Sequence, residues 1–116
     1  MARLKTADKQ LEILEAASRI FAQRPFHEVL IDSIAADAGI GKGTIYRYFE
    51  TKEDLYFAAT LHVLDTLTGA LDATLREEMT ATRRLETIAT VILQHFWERR
   101  QLLAFFQREE HFPIRH

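Results

Sequence analysis

The stretch IDSIAADAGIGKGTIYRYF, Ile31 to Phe49, decides the fold. It divides into a short amphipathic segment (Ile31, Ile34, Ala35, Ala38), a glycine at Gly39, and a second short segment bearing Ile40, Ile45, Tyr48 and Phe49. Neither piece is long enough to bury a core face alone. Joined by a tight turn they can cross steeply and share one, with Ala35 on the crossing face one turn after Ile31. A glycine at the end of the first segment adopts the left-handed conformation without steric cost. Two helices so arranged form a helix-turn-helix, in which the second is offered to the DNA major groove.

On a helix drawn from Gly41 to Phe49, Ile45, Tyr48 and Phe49 fall on one side. Gly43, Thr44, Tyr46 and Arg47 fall around the rest, with Lys42 near the start. Such an outer face is small, basic, hydroxyl-bearing and aromatic, whereas a merely solvated face is usually filled with Glu, Lys and Gln. Lys42 can reach base edges or backbone, Gly43 allows close approach, and Thr44 supplies a phosphate hydrogen bond. Tyr46 can pack on thymine methyls, and Arg47 can read guanine or pair with phosphate. The bland alternative makes the two tyrosines core aromatics and Lys42 and Arg47 solvated charges.

The run AGIGKGTIYRYFETKEDL, Ala38 to Leu55, resembles the DNA-binding domain of TetR-family transcriptional regulators, and ILEAASRIF, Ile13 to Phe21, resembles that family's first helix. The resemblance covers the first half of the chain. It implies that Tyr48 and Lys52 are backbone contacts, the latter helped by the N-terminus of its own helix. It also implies a small-molecule effector site among later helices, a homodimer, and a palindromic operator on double-stranded DNA. Two positions depart from the family pattern. Leu30 stands where Thr or Ser is usual, and Gly41 stands where Ser often caps the recognition helix. A missing cap hydroxyl typically costs about 1 kcal/mol, though Gly at that place costs only a few tenths.

Outward from this centre, the chain reads as all-α. A basic start, Met1 to about Lys5, is expected to be an arm. Thr6 or Asp8 then caps a helix reaching about Arg24, with Ile13, Ala16, Ala17, Ile20 and Phe21 inward and Pro25 as its stop. Phe26 returns to the core. Thr51 to Asp54, TKED, resembles a capping box with Asp in place of Glu or Gln. It opens a long helix whose inward stripe is read as Phe57, Leu61, Leu64, Leu71 and Leu75, with a bend near Thr68 and Gly69. Thr80 or Thr82 opens another helix, with Leu85, Ile88, Ile92 and Phe96 inward. A last segment runs from about Arg100 to Phe112. This divides the chain into a helix-turn-helix head, residues 1–50, and the first helices of a C-terminal ligand-binding and dimerisation domain, residues 51–116. Family members continue further, so the hydrophobic faces near HFPIRH suggest a truncated chain.

Composition bounds the alternatives. In 116 residues there are no cysteines, which removes thiolate catalysis and Cys-ligated zinc and suits a reducing cytoplasm. No apolar run spans a bilayer, and MARLKTADKQ lacks a signal peptide's apolar stretch. The net charge of −2 gives no general support to nucleic-acid binding, so any positive surface must be local. Its candidates are Arg3, Lys5, Lys9, Lys42, Arg47 and Lys52.

GIGKGT, Gly39 to Thr44, invites a nucleotide-binding loop. That loop needs Lys directly before Ser or Thr and a strand ahead of it, but Gly43 separates Lys42 from Thr44. The dinucleotide fingerprint fails by one position. His27, His62, His95, His111 and His116 are too scattered for a metal site, and Glu12 and Glu15 read as a solvated face. Gln94, His95, Phe96, Trp97, Phe105 and Phe106 are candidates to line an effector cavity, although aromatics at helical spacing are more often core. No enzyme activity, cofactor or metal is expected. The sequence therefore predicts a DNA-binding regulator acting as a repressor. A helical interaction module that keeps the fold without DNA binding is the alternative.

Overall fold

The computed structural model describes residues 2–104, with side chains from 7 to 102. Within them lie six α-helices and one 3-10 turn: α1 (Ala2–Gln23), the turn (Phe26–Glu28), α2 (Ile31–Ala38), α3 (Lys42–Tyr48), α4 (Lys52–Arg76), α5 (Ala81–Glu98) and α6 (Arg100–Ala104). No strand occurs among the described residues. The all-α expectation holds, and Pro25 stands just beyond α1 as its stop.

The start of α1 differs from the sequence reading. Residues 2–5 are helical rather than an arm, so positions 6 and 8 lie inside the helix and not at its start. Ala, Arg, Leu and Lys are all good helix formers, and no Gly or Pro interrupts them.

One core joins the head to the later helices. Ile13, Ala16, Ala17 and Phe21 of α1 meet Ile31, Ile34 and Ala35 of α2, Ile45 of α3, and Leu55, Tyr56, Ala59 and Val63 of α4. Leu102 of α6 belongs to the same cluster. At its centre three rings link α1, the turn and α4. Phe21 and Phe26 stack at 5.9 Å, and Tyr56 meets them edge-on at 4.9 and 5.2 Å. Rings at these separations contribute beyond the area they bury. Arg19 adds an external tie from α1 to α2, donating to Asp37 at 2.6 and 3.1 Å.

The long helix turns a different face inward from the one expected. Leu55, Tyr56, Ala59, Thr60, Val63, Leu67 and Thr74 are its buried residues. Phe57, Leu61, Leu64 and Leu75 of the expected stripe are exposed, and Leu71 is half-buried. The helix carries two apolar stripes, and α1 packs on the one whose small residues, Ala59 and Thr60, allow close approach. Thr68 and Gly69 lie within continuous α-helix, with the Thr68 hydroxyl donating to the Leu64 carbonyl at 3.0 Å.

Both cap readings downstream of the head hold. Thr51 accepts from the Asp54 N–H at 3.0 Å, and Thr80, rather than Thr82, caps α5 by accepting from the Arg83 N–H at 3.2 Å. The inward set of α5 is shallower than expected. Ile88 and Ile92 are half-buried, while Leu85 is 71% and Phe96 39% exposed. No described residue of α5 is fully buried, and the helix packs on α4 and on short α6. Phe105, Phe106, His111 and His116 lie outside the described residues.

Candidate nucleic-acid interface

The corner between α2 and α3 is closed by backbone geometry. Gly39 takes φ 71° and ψ 33°, the left-handed region. Its N–H donates to the Ala36 carbonyl at 3.2 Å, and the Ile40 N–H reaches back to Ala35 at 3.0 Å. This paired closure satisfies the last carbonyls of α2 and turns the chain toward α3. Leu30 and Gly41 occupy the N-cap positions of α2 and α3 in extended conformation, neither with a side-chain cap. The two departures noted in the sequence are therefore real uncapped starts.

Helix α3 is seven residues long and anchored from behind by Ile45, which is 1% exposed. Phe49, immediately after it, is also buried. Lys42, Gly43, Tyr46 and Arg47 face outward, Thr44 is half-buried, and Tyr48 is half-buried against the core. The sequence separates these residues into an inner and an outer set, and the structure keeps that separation except at Thr44, read as outward but half-buried like Tyr48. An added Cβ at Gly43 would meet nothing within 4 Å. Gly43 is therefore not needed for packing, and its bare backbone faces solvent.

Lys52 stands apart from this group, at the first turn of α4. Its ammonium lies 4.4 Å from the centroid of the Phe26 ring, within cation–π range. Partial burial holds the group below the usual lysine range, and neighbouring Glu53 opposes that shift.

One charged residue of this surface escaped the sequence reading. Asp32, in the first turn of α2, places Oδ1 3.4 Å from the Lys42 Nζ. Ten positions separate the two, and only the crossing of α2 and α3 brings them together. No spacing rule along one helix could have found the pair.

The other two sequence-level sites resolve differently. A helix, not a strand, precedes Gly39, which leaves GIGKGT without the frame a phosphate loop needs. A cavity of about 430 Å³ opens between α1, α4 and α5, lined among others by Arg19, His62, Thr66, His95, Glu98 and Arg99. Of the described residues expected to line a cavity, only His95 does so. It bridges α5 to α4, with Nε2 3.0 Å from the Val63 carbonyl. Gln94, Phe96 and Trp97 turn elsewhere, Trp97 being 67% exposed beneath the Arg100 guanidinium. The reason is the phase of α5: His95 faces α4, so residues one and two positions away cannot. No group of metal-ligating residues occurs among the described side chains, and no described helix is long and apolar enough to cross a membrane.

A steeply cornered helix pair with an anchored, outward-facing second helix defines a helix-turn-helix protein on an all-helical body. Residues 13–59 match the family model of bacterial regulatory proteins of the tetR family. Over those residues the chain belongs to that family. It is 32% identical over 88 residues to a fatty acid metabolism regulator protein of Bacillus subtilis, and 32% identical over 83 residues to the HTH-type transcriptional activator FasR of Mycolicibacterium smegmatis. These alignments cover 76% and 72% of this chain but 44% and 38% of the relatives, so it spans less than half their length. A TetR-like transcriptional regulator from Rhodococcus sp. RHA1 superposes with a TM-score of 0.63 at 26% identity, over 81% of this chain and 51% of that one.

Proposed function

We propose that this chain is the DNA-reading part of a transcriptional regulator, with α3 entering the major groove of a specific operator. The observation that carries the reading is the orientation of α3. Ile45 is held in the core while Lys42, Tyr46 and Arg47 project from the opposite side. Lys42, Tyr46 and Arg47 are the base-reading candidates, Gly43 allows close approach, and Thr44, Tyr48 and Lys52 are the backbone contacts. The head, residues 1–50, does the reading, and residues 51–116 begin the part that controls it.

The finer proposal is a ligand-responsive repressor acting as a homodimer in the bacterial cytoplasm. A single seven-residue helix makes few base contacts. Two copies on a palindromic site, with recognition helices ~34–36 Å apart, would supply the rest. Occupancy alone then blocks a promoter. Because α4 shares its core with α1 and also packs on α5, a small molecule among the later helices can bias where α3 sits. It does so only through different affinities for the two arrangements.

Selection of bound duplexes from a random DNA pool tests the reading. The expected result is one enriched, two-fold symmetric sequence, bound more tightly than its scrambled counterpart. A pool that emerges without enrichment, with no retention on random duplex at low salt, favours an interaction module that kept the fold and lost DNA binding. Addition of a metabolite library to the enriched complex tests ligand control. Operator affinity unmoved by every compound counts against it.

A further inference from the structure

The chain's net charge of −2 has a structural counterpart at its reading surface. Asp32 and Lys42 belong to different helices, and their charged atoms lie 3.4 Å apart. Both are well exposed, at 69% and 54% of their side chains, so the pair is open to competition from solvent and from a phosphate. The first helix of a helix-turn-helix crosses the DNA backbone, which puts an acid in its first turn close to phosphate. Asp32 therefore stands where a negative charge opposes docking, and it holds the cation that would otherwise favour it.

We propose that Asp32 is a specificity-determining residue that withholds Lys42 from non-specific duplex. This rests on the reading of α3 as the recognition helix. With Asp32 present, the Lys42 ammonium has a partner already, and exchanging it for any one phosphate brings little net gain. A base edge in the groove, an acceptor fixed in direction and reachable only when α3 is fully seated, offers Lys42 a contact that random sequence does not. Asp32 thus weakens binding to all DNA while weakening operator binding less. Exposed pairs of this kind are worth up to about a five-fold change in an equilibrium constant.

The test measures binding of wild type, Asp32→Asn, Lys42→Ala and the double variant. The probes are the duplex recovered by selection with wild type and a scrambled duplex of equal length, each over a salt series. Asp32→Asn is expected to bind the scrambled duplex about two- to five-fold more tightly. Its salt dependence should steepen by about one counterion, with a smaller gain on the selected duplex. In the Lys42→Ala background the same change should have at most a residual effect, since the cation it acts through is gone. Equal gains on both duplexes, an unchanged scrambled affinity, or an undiminished effect without Lys42 each overturn the proposal and leave the regulator reading standing. If neither duplex is held at low salt by wild type or by Asp32→Asn, both readings fall together.

Discussion

Ile45 and Tyr46 are adjacent in the chain and opposite in environment, the first 1% and the second 42% exposed. Removing the Ile45 side chain empties part of the core that α3 shares with α2, and truncations of that kind cost roughly 2–5 kcal/mol. Against a total stability of typically ~5–15 kcal/mol, Ile45→Ala should lower the urea midpoint substantially and abolish DNA binding with it. Tyr46→Ala and Lys42→Ala should do the reverse: lose affinity for the selected duplex while the melting curve stays within about 0.5 kcal/mol of wild type. Full affinity in both variants would mean that the reading face has been misassigned. Tyr56 supplies a prediction of another kind. Burial pushes its phenol well above the ordinary tyrosine value of 10, a shift that a hydrogen bond with Thr60 only partly offsets. The unfolded chain loses that proton near pH 10 and the folded chain keeps it, so stability is full below pH 10 and declines as pH rises beyond it. Lys52 acts in the opposite direction in the same range, since its lowered value makes the folded form easier to keep once the ammonium is neutral. The Tyr56 shift is the larger and more buried of the two, and Tyr56→Phe should flatten the alkaline decline in urea midpoints measured from pH 8 to 11.

Between elements, the legible part of the sequence was whatever local chemistry dictates. Gly39 as a helix stop, Pro25 after α1, and Thr51 and Thr80 as caps could be read because each acts within a few residues of itself. The inner face of α4 could not. Leu61 and Leu64 repeat at helical spacing as well as Val63 and Leu67 do, and periodicity says only that a helix has an apolar stripe. Which stripe is buried depends on where α1 lies, a tertiary fact. The extension of α1 to Ala2 was missed for a related reason, because Thr6 and Asp8 are good caps only where a helix has cause to stop. At the site, the outward set on α3 was legible from one helix, but Asp32 required the angle between two. That angle rests on Gly39, and the space around it is open, with nothing within 4 Å of an added Cβ. Substitution there is therefore a purely conformational cost. Gly39→Ala should lower stability by about 1–2 kcal/mol, the penalty of a left-handed L-residue, and Gly39→Asn by less. Equal melting temperatures for wild type and Gly39→Ala would show that the corner is not left-handed in solution.

Taken whole, the molecule is an acidic protein read as a DNA binder, and the way its cations are disposed shows how the two fit. Lys9 pairs with Glu12 at 3.5 Å, Arg19 with Asp37 at 2.6 Å and Lys42 with Asp32 at 3.4 Å, while Lys52 rests on Phe26. Arg47 forms no ion pair among the described residues. Such a surface has little positive field to attract DNA at a distance, so its affinity should come from short-range contacts and its salt dependence should be shallow. Lys52 is the cleanest measure of this. It lies off the recognition helix, at the positive end of the 25-residue helix α4, where an anionic oxygen is favoured whatever the base sequence. Lys52→Ala should therefore weaken binding to the selected and the scrambled duplex by the same factor and reduce the slope of log affinity against log salt by about 0.9. Arg47→Ala, removing a side chain assigned to the groove, should penalise the selected duplex more than the scrambled one. If Lys52→Ala leaves the slope where it was, the lysine makes no phosphate contact and serves only to cover Phe26.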